Sequence, residues 1–184
     1  MFEFLNNHYG SKKGFLRYIK HQFIFYLGMY KPYTEIDFSR VKRLVFVCSG
    51  NICRSALAEA VIKKCGGNAC SFGLDTRGGD PADSRMILIG KELGFDLSVH
   101  STSRINQYVV HSGDLLIGME PGQCRKLRTL YPDNQVTFLG IWSNSKKVYI
   151  HDPYSANNVY FTRCAEEIVF AAGSLFKHFK NRNV

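Results

Sequence analysis

Arg43-Leu44-Val45-Phe46-Val47-Cys48 is a short, continuously apolar run, followed at once by Ser49-Gly50-Asn51-Ile52-Cys53-Arg54-Ser55 and then Ala56-Leu57-Ala58. A run this short, closed by a Gly-Asn turn, is the pattern of a strand buried on both faces. The alanine- and leucine-rich continuation, from about Ser55 to Gly66-Gly67, has the pattern of a helix. Strand, tight turn and helix in that order begin a parallel α/β unit.

The same alternation repeats outward from this segment. Asn68 to Gly73 forms a second strand, and Pro81 to Leu93 a helix with Met86, Ile87, Ile89 and Leu93 on its apolar face and Gly94 as its stop. Asp114 to Met119 is a third buried strand, with a helix from Glu120 to Leu130 after it, and Val136 to Leu139 is a short fourth strand. From about Val159 to Phe179, apolar residues at 161, 165, 168, 169, 172, 175, 176 and 179 mark one helical stripe. The expectation is an α/β domain over 41–184: a four-stranded parallel sheet with helices on both faces. Ligand sites in such sheets lie beyond the carboxyl ends of the strands, which directs attention to the loop after the first strand.

That loop carries chemistry. Cys-x5-Arg alone is a weak signal, but here it joins a buried strand to a helix. Successive backbone N–H groups of Ser49, Gly50, Asn51, Ile52, Cys53, Arg54 and Ser55 can point inward as an anion-binding nest, and the helix N-terminus adds positive potential. Arg54 can grip two phosphate oxygens through its planar fork. A cysteine at a helix N-terminus beside a cation is favoured as a thiolate, so Cys48 is the candidate nucleophile. Thiolate attack on a phosphate ester needs a proton for the leaving oxygen. His151-Asp152-Pro153-Tyr154, in the polar loop before the last helix, offers Asp152, with Asp114 or Glu120 as the fallback carboxyls.

Composition bounds the setting. The chain has 184 residues, 45% hydrophobic and 21% charged, within the range of one globular domain. Its longest apolar run, Phe23 to Tyr30, is far short of the ~20 residues that cross a bilayer. The first residues, Met-Phe-Glu-Phe-Leu-Asn-Asn, lack a basic leader, so a cytoplasmic location is expected. Six cysteines without a Cys-x-x-Cys pair point to reduced thiols and to no metal. The formal charge of +9 suits an anionic partner. The basic residues are scattered, so nucleic acid is not the expected one.

With these residues in view, the chain resembles the low-molecular-weight protein tyrosine phosphatases over about residues 42–180. Val45 to Ser55 is similar to the family's signature loop almost letter for letter, and Asp152-Pro153-Tyr154 to its general-acid loop. Ser71-Phe72-Gly73-Leu74, Gly79 to Asp83, and Phe138 to Trp142 resemble the bacterial branch associated with capsule and exopolysaccharide production. The resemblance implies hydrolysis of protein phosphotyrosine through a phosphocysteine intermediate, without metal or cofactor, with a tyrosine autokinase of polysaccharide export as the partner. It implies Cys48, Arg54 and Asp152 as catalytic residues and Asn51, Ser55, Ser71 and His100 as a supporting network. Leu74 and Tyr154 would form the rim of the cleft. The other five histidines are read as surface or structural.

Related chemistries share this loop. Thiol arsenate reductases resemble it but need relay cysteines, and the region after the second helix offers Cys124 with no partner near it in sequence. Protein arginine phosphatases are similar but typically carry Thr where this chain has Ile52. A non-catalytic phosphotyrosine-binding regulator is the third alternative, against which the intact Cys48, Arg54 and Asp152 argue. Ser155 stands where the eukaryotic branch places a second aromatic. Residues 1–40 have no counterpart in the minimal family fold. Their aromatic-rich span 15–30, with Lys12, Lys13, Arg17 and Lys20, fits an amphipathic helix that packs on the domain or lies on a membrane surface, packing being preferred.

Overall fold

A computed structural model of the protein describes residues 2–182. β1 (Arg43–Cys48) lies inside a fully parallel sheet of order β2-β1-β3-β4, with β2 at Ala69–Gly73, β3 at Asp114–Gly118 and β4 at Gln135–Phe138. Its side chains alternate between two buried layers, which is why the run is apolar throughout. Leu44, Phe46 and Cys48 join Leu115 and Ile117 on one face, whereas Val45 and Val47 join Leu116, Val136 and Phe138 on the other. Phe46 is fully enclosed, and truncating it to Ala would cost ~3–5 kcal/mol.

The first layer is covered by α3 (Arg54–Lys64), α4 (Ser84–Glu92) and α6 (Asn158–Arg182), through residues such as Leu57, Met86, Phe161 and Ile168. The second is covered by α5 (Pro121–Leu130) through Cys124 and Leu127. The long α6 buries a wider stripe than the apolar spacing predicts: Tyr160, Cys164 and Ala171 are also enclosed, while Val169 and Phe179 are only partly covered. After β2 the chain crosses β1 to form β3, so the carboxyl end of β1 sits where the strand order reverses.

Element boundaries differ from the sequence expectation by one to a few residues. The helix expected from Pro81 starts at Ser84, because the Asp83 carboxylate caps it by accepting the Arg85 backbone N–H at 2.9 Å. Pro81 instead pairs with Ser101 in an isolated bridge. β3 ends at Gly118, one residue early.

The N-terminal extension forms two helices, α1 (Phe2–Tyr9) and α2 (Lys12–Tyr26). They part at Gly10-Ser11, where the Ser11 hydroxyl accepts the Gly14 N–H at 2.9 Å as an N-cap. Gly14 is buried, and a Cβ there would stand 2.1 Å from the Tyr9 carbonyl oxygen and 3.1 Å from the His151 ring. Only a hydrogen lets the helix approach so closely. Farther along, Tyr30 and Tyr33 join the second core layer, and Phe38 and Val41 the first. The extension therefore continues into the core of the sheet domain. Among the described residues no helix is long and apolar enough to cross a membrane.

Candidate active site

The loop after β1 is held by Asn51, which adopts a left-handed conformation with φ of 59°. Asparagine tolerates this better than most residues, and here every polar group of Asn51 is engaged. Its backbone N–H donates to Cys48 Sγ at 3.2 Å, and its carbonyl accepts from His100 Nε2 at 2.7 Å. Its side-chain Nδ2 donates to Ser55 Oγ at 2.9 Å and Ser71 Oγ at 2.8 Å, while Oδ1 accepts the Ser103 N–H at 2.9 Å. The side chain is fully buried, so losing any partner would strand a polar group at a cost of ~1–3 kcal/mol.

These bonds also fix the direction of the protons. Ser55 Oγ accepts from Asn51, which leaves its own hydrogen to donate to Cys48 Sγ at 3.1 Å. Ser71 Oγ likewise accepts from Asn51 and donates to Glu59 Oε2 at 2.5 Å, and Glu59 is paired with Lys63 at 2.5 Å. Sulfur thus receives two donors, one from the loop backbone and one from the first turn of α3. Glu59 and Ser103 were not singled out by sequence. Glu59 could have been, since Ser55, Glu59 and Lys63 recur at helical spacing of four on one face of α3.

Arg54 opens α3 with only 1% of its surface exposed. Its Nη1 donates to the Ile150 carbonyl at 3.0 Å and its Nη2 to Asp152 Oδ2 at 2.5 Å. Burial alone would lower its pKa, but the Asp152 carboxylate, and then Cys48, more than offset this and raise it. Asp152 is partly exposed, and its other oxygen accepts the Tyr154 N–H at 3.1 Å. Cys48, Ile52, Arg54, Asp75, Asp152 and Tyr154 line one cavity of about 250 Å³, together with Ser49, Gly50 and Cys53. The fallback Asp114 lies at the opposite end of the sheet. It opens β3, is bound by Arg43 at 2.8 Å, and also accepts from Tyr108.

The rim departs from expectation in one place. Leu74 is not among the residues lining the cavity; it packs against the second core layer, and the lining residue is its neighbour Asp75. The cause is local. Leu74 N–H and Asp75 N–H donate to the Cys48 and Ser49 carbonyls at 2.9 Å each, which ties this turn alongside the loop and leaves the Asp75 side chain mostly exposed. Gly73 makes that approach feasible, since a Cβ there would stand 2.8 Å from the Ser49 carbonyl oxygen. Tyr154 stands exposed at the opposite edge, its carbonyl held by Arg85 at 2.8 Å. Arg85 is itself bound to Asp83 at 3.0 Å, and the Asp83 N–H donates to the Ile52 carbonyl.

His151, read from sequence as one of the histidines without a part in the site, adjoins Asp152 and is gripped by the extension. Ser11 Oγ lies 3.2 Å from its Nε2, and the Tyr149 hydroxyl 2.8 Å from its Nδ1. Burial and then the nearby Arg54 lower its pKa. A larger hollow of about 560 Å³ separates the extension from α6, but its central charges, Lys147 and Glu167, pair with each other at 2.5 Å. Among the described residues, no three His, Cys, Asp or Glu side chains cluster closely enough to hold a metal ion.

Comparison with known proteins agrees with this geometry. The chain is 28% identical over 116 residues to the probable low molecular weight protein-tyrosine-phosphatase EpsP of Ralstonia solanacearum, covering 62% of this chain and 79% of that one. It is 30% identical over 146 residues to an arsenate reductase of Staphylococcus aureus (strain Newman), covering 77% and 98%. Its fold superposes on Vibrio vulnificus Wzb, solved in complex with benzylphosphonate, with a TM-score of 0.65 and 28% identity over 75% of this chain and 99% of that one. Residues 43–184 match the family described as low molecular weight phosphotyrosine protein phosphatase, and the chain belongs to that family.

Proposed function

We propose that this chain hydrolyses phosphotyrosine on proteins through a phosphocysteine intermediate. The observation that carries this reading is that Cys48, Arg54 and Asp152 line one small cavity, with two hydrogen-bond donors aimed at the sulfur. In the first step the Cys48 thiolate attacks phosphorus, the bond to the tyrosyl oxygen breaks, and Asp152 gives that oxygen its proton. Arg54 and the inward backbone N–H groups take the charge of the equatorial oxygens, and the incoming phosphate competes with Asp152 for Nη2. In the second step water attacks phosphorus, Asp152 takes the water proton, and the P–S bond breaks to return the Cys48 thiolate and inorganic phosphate.

The substrate we favour is a tyrosine autokinase of polysaccharide export in the cytoplasm, a reading supported by kinship with EpsP and Wzb. The S. aureus relative raises arsenate reduction as a second reading. That chemistry needs mobile relay thiols. Cys124 is fully enclosed and donates to the Thr137 carbonyl, and Cys164 is enclosed on the inner face of α6, which weighs against it. The partly buried Ile52 in the cavity favours a flat aryl ester over a guanidinium phosphate.

The test removes nucleophile and acid in turn. Cys48→Ser should abolish turnover of any aryl phosphate in a folded protein. Asp152→Ala should lose ~10²–10⁴-fold on a phosphotyrosine peptide, whose phenolate needs the proton, and visibly less on an activated nitrophenyl ester. Equal losses on both substrates in single-turnover measurements would reduce Asp152 to a turn residue.

A further inference from the structure

The extension has a second face. Its inner side seats Gly14, Gln22 and His21 against the domain, but Leu16, Ile19, Phe23, Tyr26 and Leu27 are each 49–78% exposed. At 100° per residue these five fall within a single arc of about a third of the α2 circumference. Eight of the fifteen exposed large apolar side chains among the described residues lie within residues 2–29, so the exposure is concentrated. Soluble surfaces scatter such residues singly; a contiguous stripe marks a surface that meets something apolar.

Charge selects the partner. Lys13 and Lys20 run along one edge of the stripe, and Lys12 sits at its head with its ammonium 3.6 Å from the centroid of the Phe2 ring, which brings the start of α1 into the same patch. Residues 2–34 contain one acidic residue, Glu3, against Lys12, Lys13, Arg17, Lys20 and Lys31. A second copy docked face to face would set lysine against lysine. An anionic bilayer surface accepts an apolar stripe into its acyl boundary while its headgroups meet the ammonium groups at the edge. We propose that the outer face of α2, with the start of α1, docks this protein on anionic lipid surfaces. The contact is peripheral, and the inner face of α2 stays on the domain.

The experiment uses the full-length protein and vesicles of phosphatidylcholine, with or without phosphatidylserine, in a sedimentation assay. Binding is expected to the phosphatidylserine vesicles and to weaken with added salt. Replacing Lys12, Lys13 and Lys20 together by Gln should weaken it about 100-fold. Leu16→Ser and Phe23→Ser should each weaken it about tenfold or more. These side chains point outward, so turnover of a soluble aryl phosphate should stay unchanged in every variant, which shows that the fold is intact. No binding to either vesicle overturns the proposal. So does loss of a concentration-dependent dimer, in place of vesicle binding, when Leu16 and Phe23 are changed. Lysine-dependent binding that ignores Leu16 and Phe23 also overturns it, since a basic protein held only by its net charge needs no stripe.

Discussion

Gly14→Ala gives a sharp test of how the extension is seated. In an ordinary helix interior this change stabilises by ~1 kcal/mol, because alanine loses less backbone freedom than glycine. Here the new Cβ would stand 2.1 Å from the Tyr9 carbonyl oxygen and 3.1 Å from the His151 ring. The first contact is with backbone and must open by about 1 Å, an overpacking that typically costs ~1–3 kcal/mol. The clash outweighs the propensity gain, particularly since Gly14 lies in the first turn of α2, and the net effect is a loss of roughly 1 kcal/mol or more. The matched control is Gly173→Ala in α6, where the added Cβ meets nothing within 4 Å and the gain of ~1 kcal/mol should appear in full. For a chain of this size each kcal/mol moves the melting temperature by ~2–4 °C. Thermal unfolding followed by circular dichroism should therefore move in opposite directions for the two variants. Limited proteolysis should cut Gly14→Ala faster within residues 10–30. A Gly14→Ala protein that melts higher than the parent and resists protease equally would refute the close seating of α2 on the acid loop.

Two further outcomes are expected. Cys53 lies in the same loop as Cys48, and burial pushes its thiol well above the usual range, so peroxide should oxidise Cys48 first. The resulting sulfenic acid should then condense with the Cys53 thiol and release water, giving a linkage visible by mass spectrometry and reversed by dithiothreitol; irreversible sulfinic acid at Cys48 would oppose this. The second outcome concerns acid. Burial, reinforced by Lys20, Arg125 and Arg17, lowers His21 to about 4, and its ring bonds to the Tyr30 hydroxyl at 2.8 Å beside Tyr149. His151 is lowered as well. Both bind a proton more readily once released, so seating of the extension is fully supported above about pH 6.5 and is lost progressively as pH falls toward 4. Hydrogen exchange in α2 should accelerate at pH 5 relative to pH 7.5, and equal protection at both would contradict this.

The sheet was legible from sequence because its signal is local. β1 is buried on both faces, so every residue from Leu44 to Val47 had to be apolar, and the turn and helix after it share one continuous segment. The loop from Cys48 to Ser55 was legible for the same reason, with strand end, nest and helix start in eight consecutive residues. Asp152 had no such local mark, since an Asp-Pro pair alone reads as a turn; its place in the polar loop before the last helix made it a candidate, and family likeness was added to that. What escaped depends on packing between distant segments. His151 meets Ser11 across 140 residues, and Ser103 reaches Asn51 across 52. Leu74 and Asp75 exchange places at the rim because backbone bonds to Cys48 and Ser49, invisible in a string of residue types, set the rotation of that turn.

The seat of the extension also has a consequence for synthesis. α1 and α2 leave the ribosome before the sheet domain, yet they rest on residues made long after them: Asn157 donates to Asn7 at 2.7 Å, Tyr160 walls in Gly10, and His151 meets Ser11. At ~5–20 residues per second, the roughly 140 residues between them take about 7–30 s to emerge. For that interval an apolar, basic helix pair has no wall to close on, and it is exposed to whatever surface lies nearest the ribosome. The extension thus has to wait for the C-terminal half of the sheet domain before it can find its place.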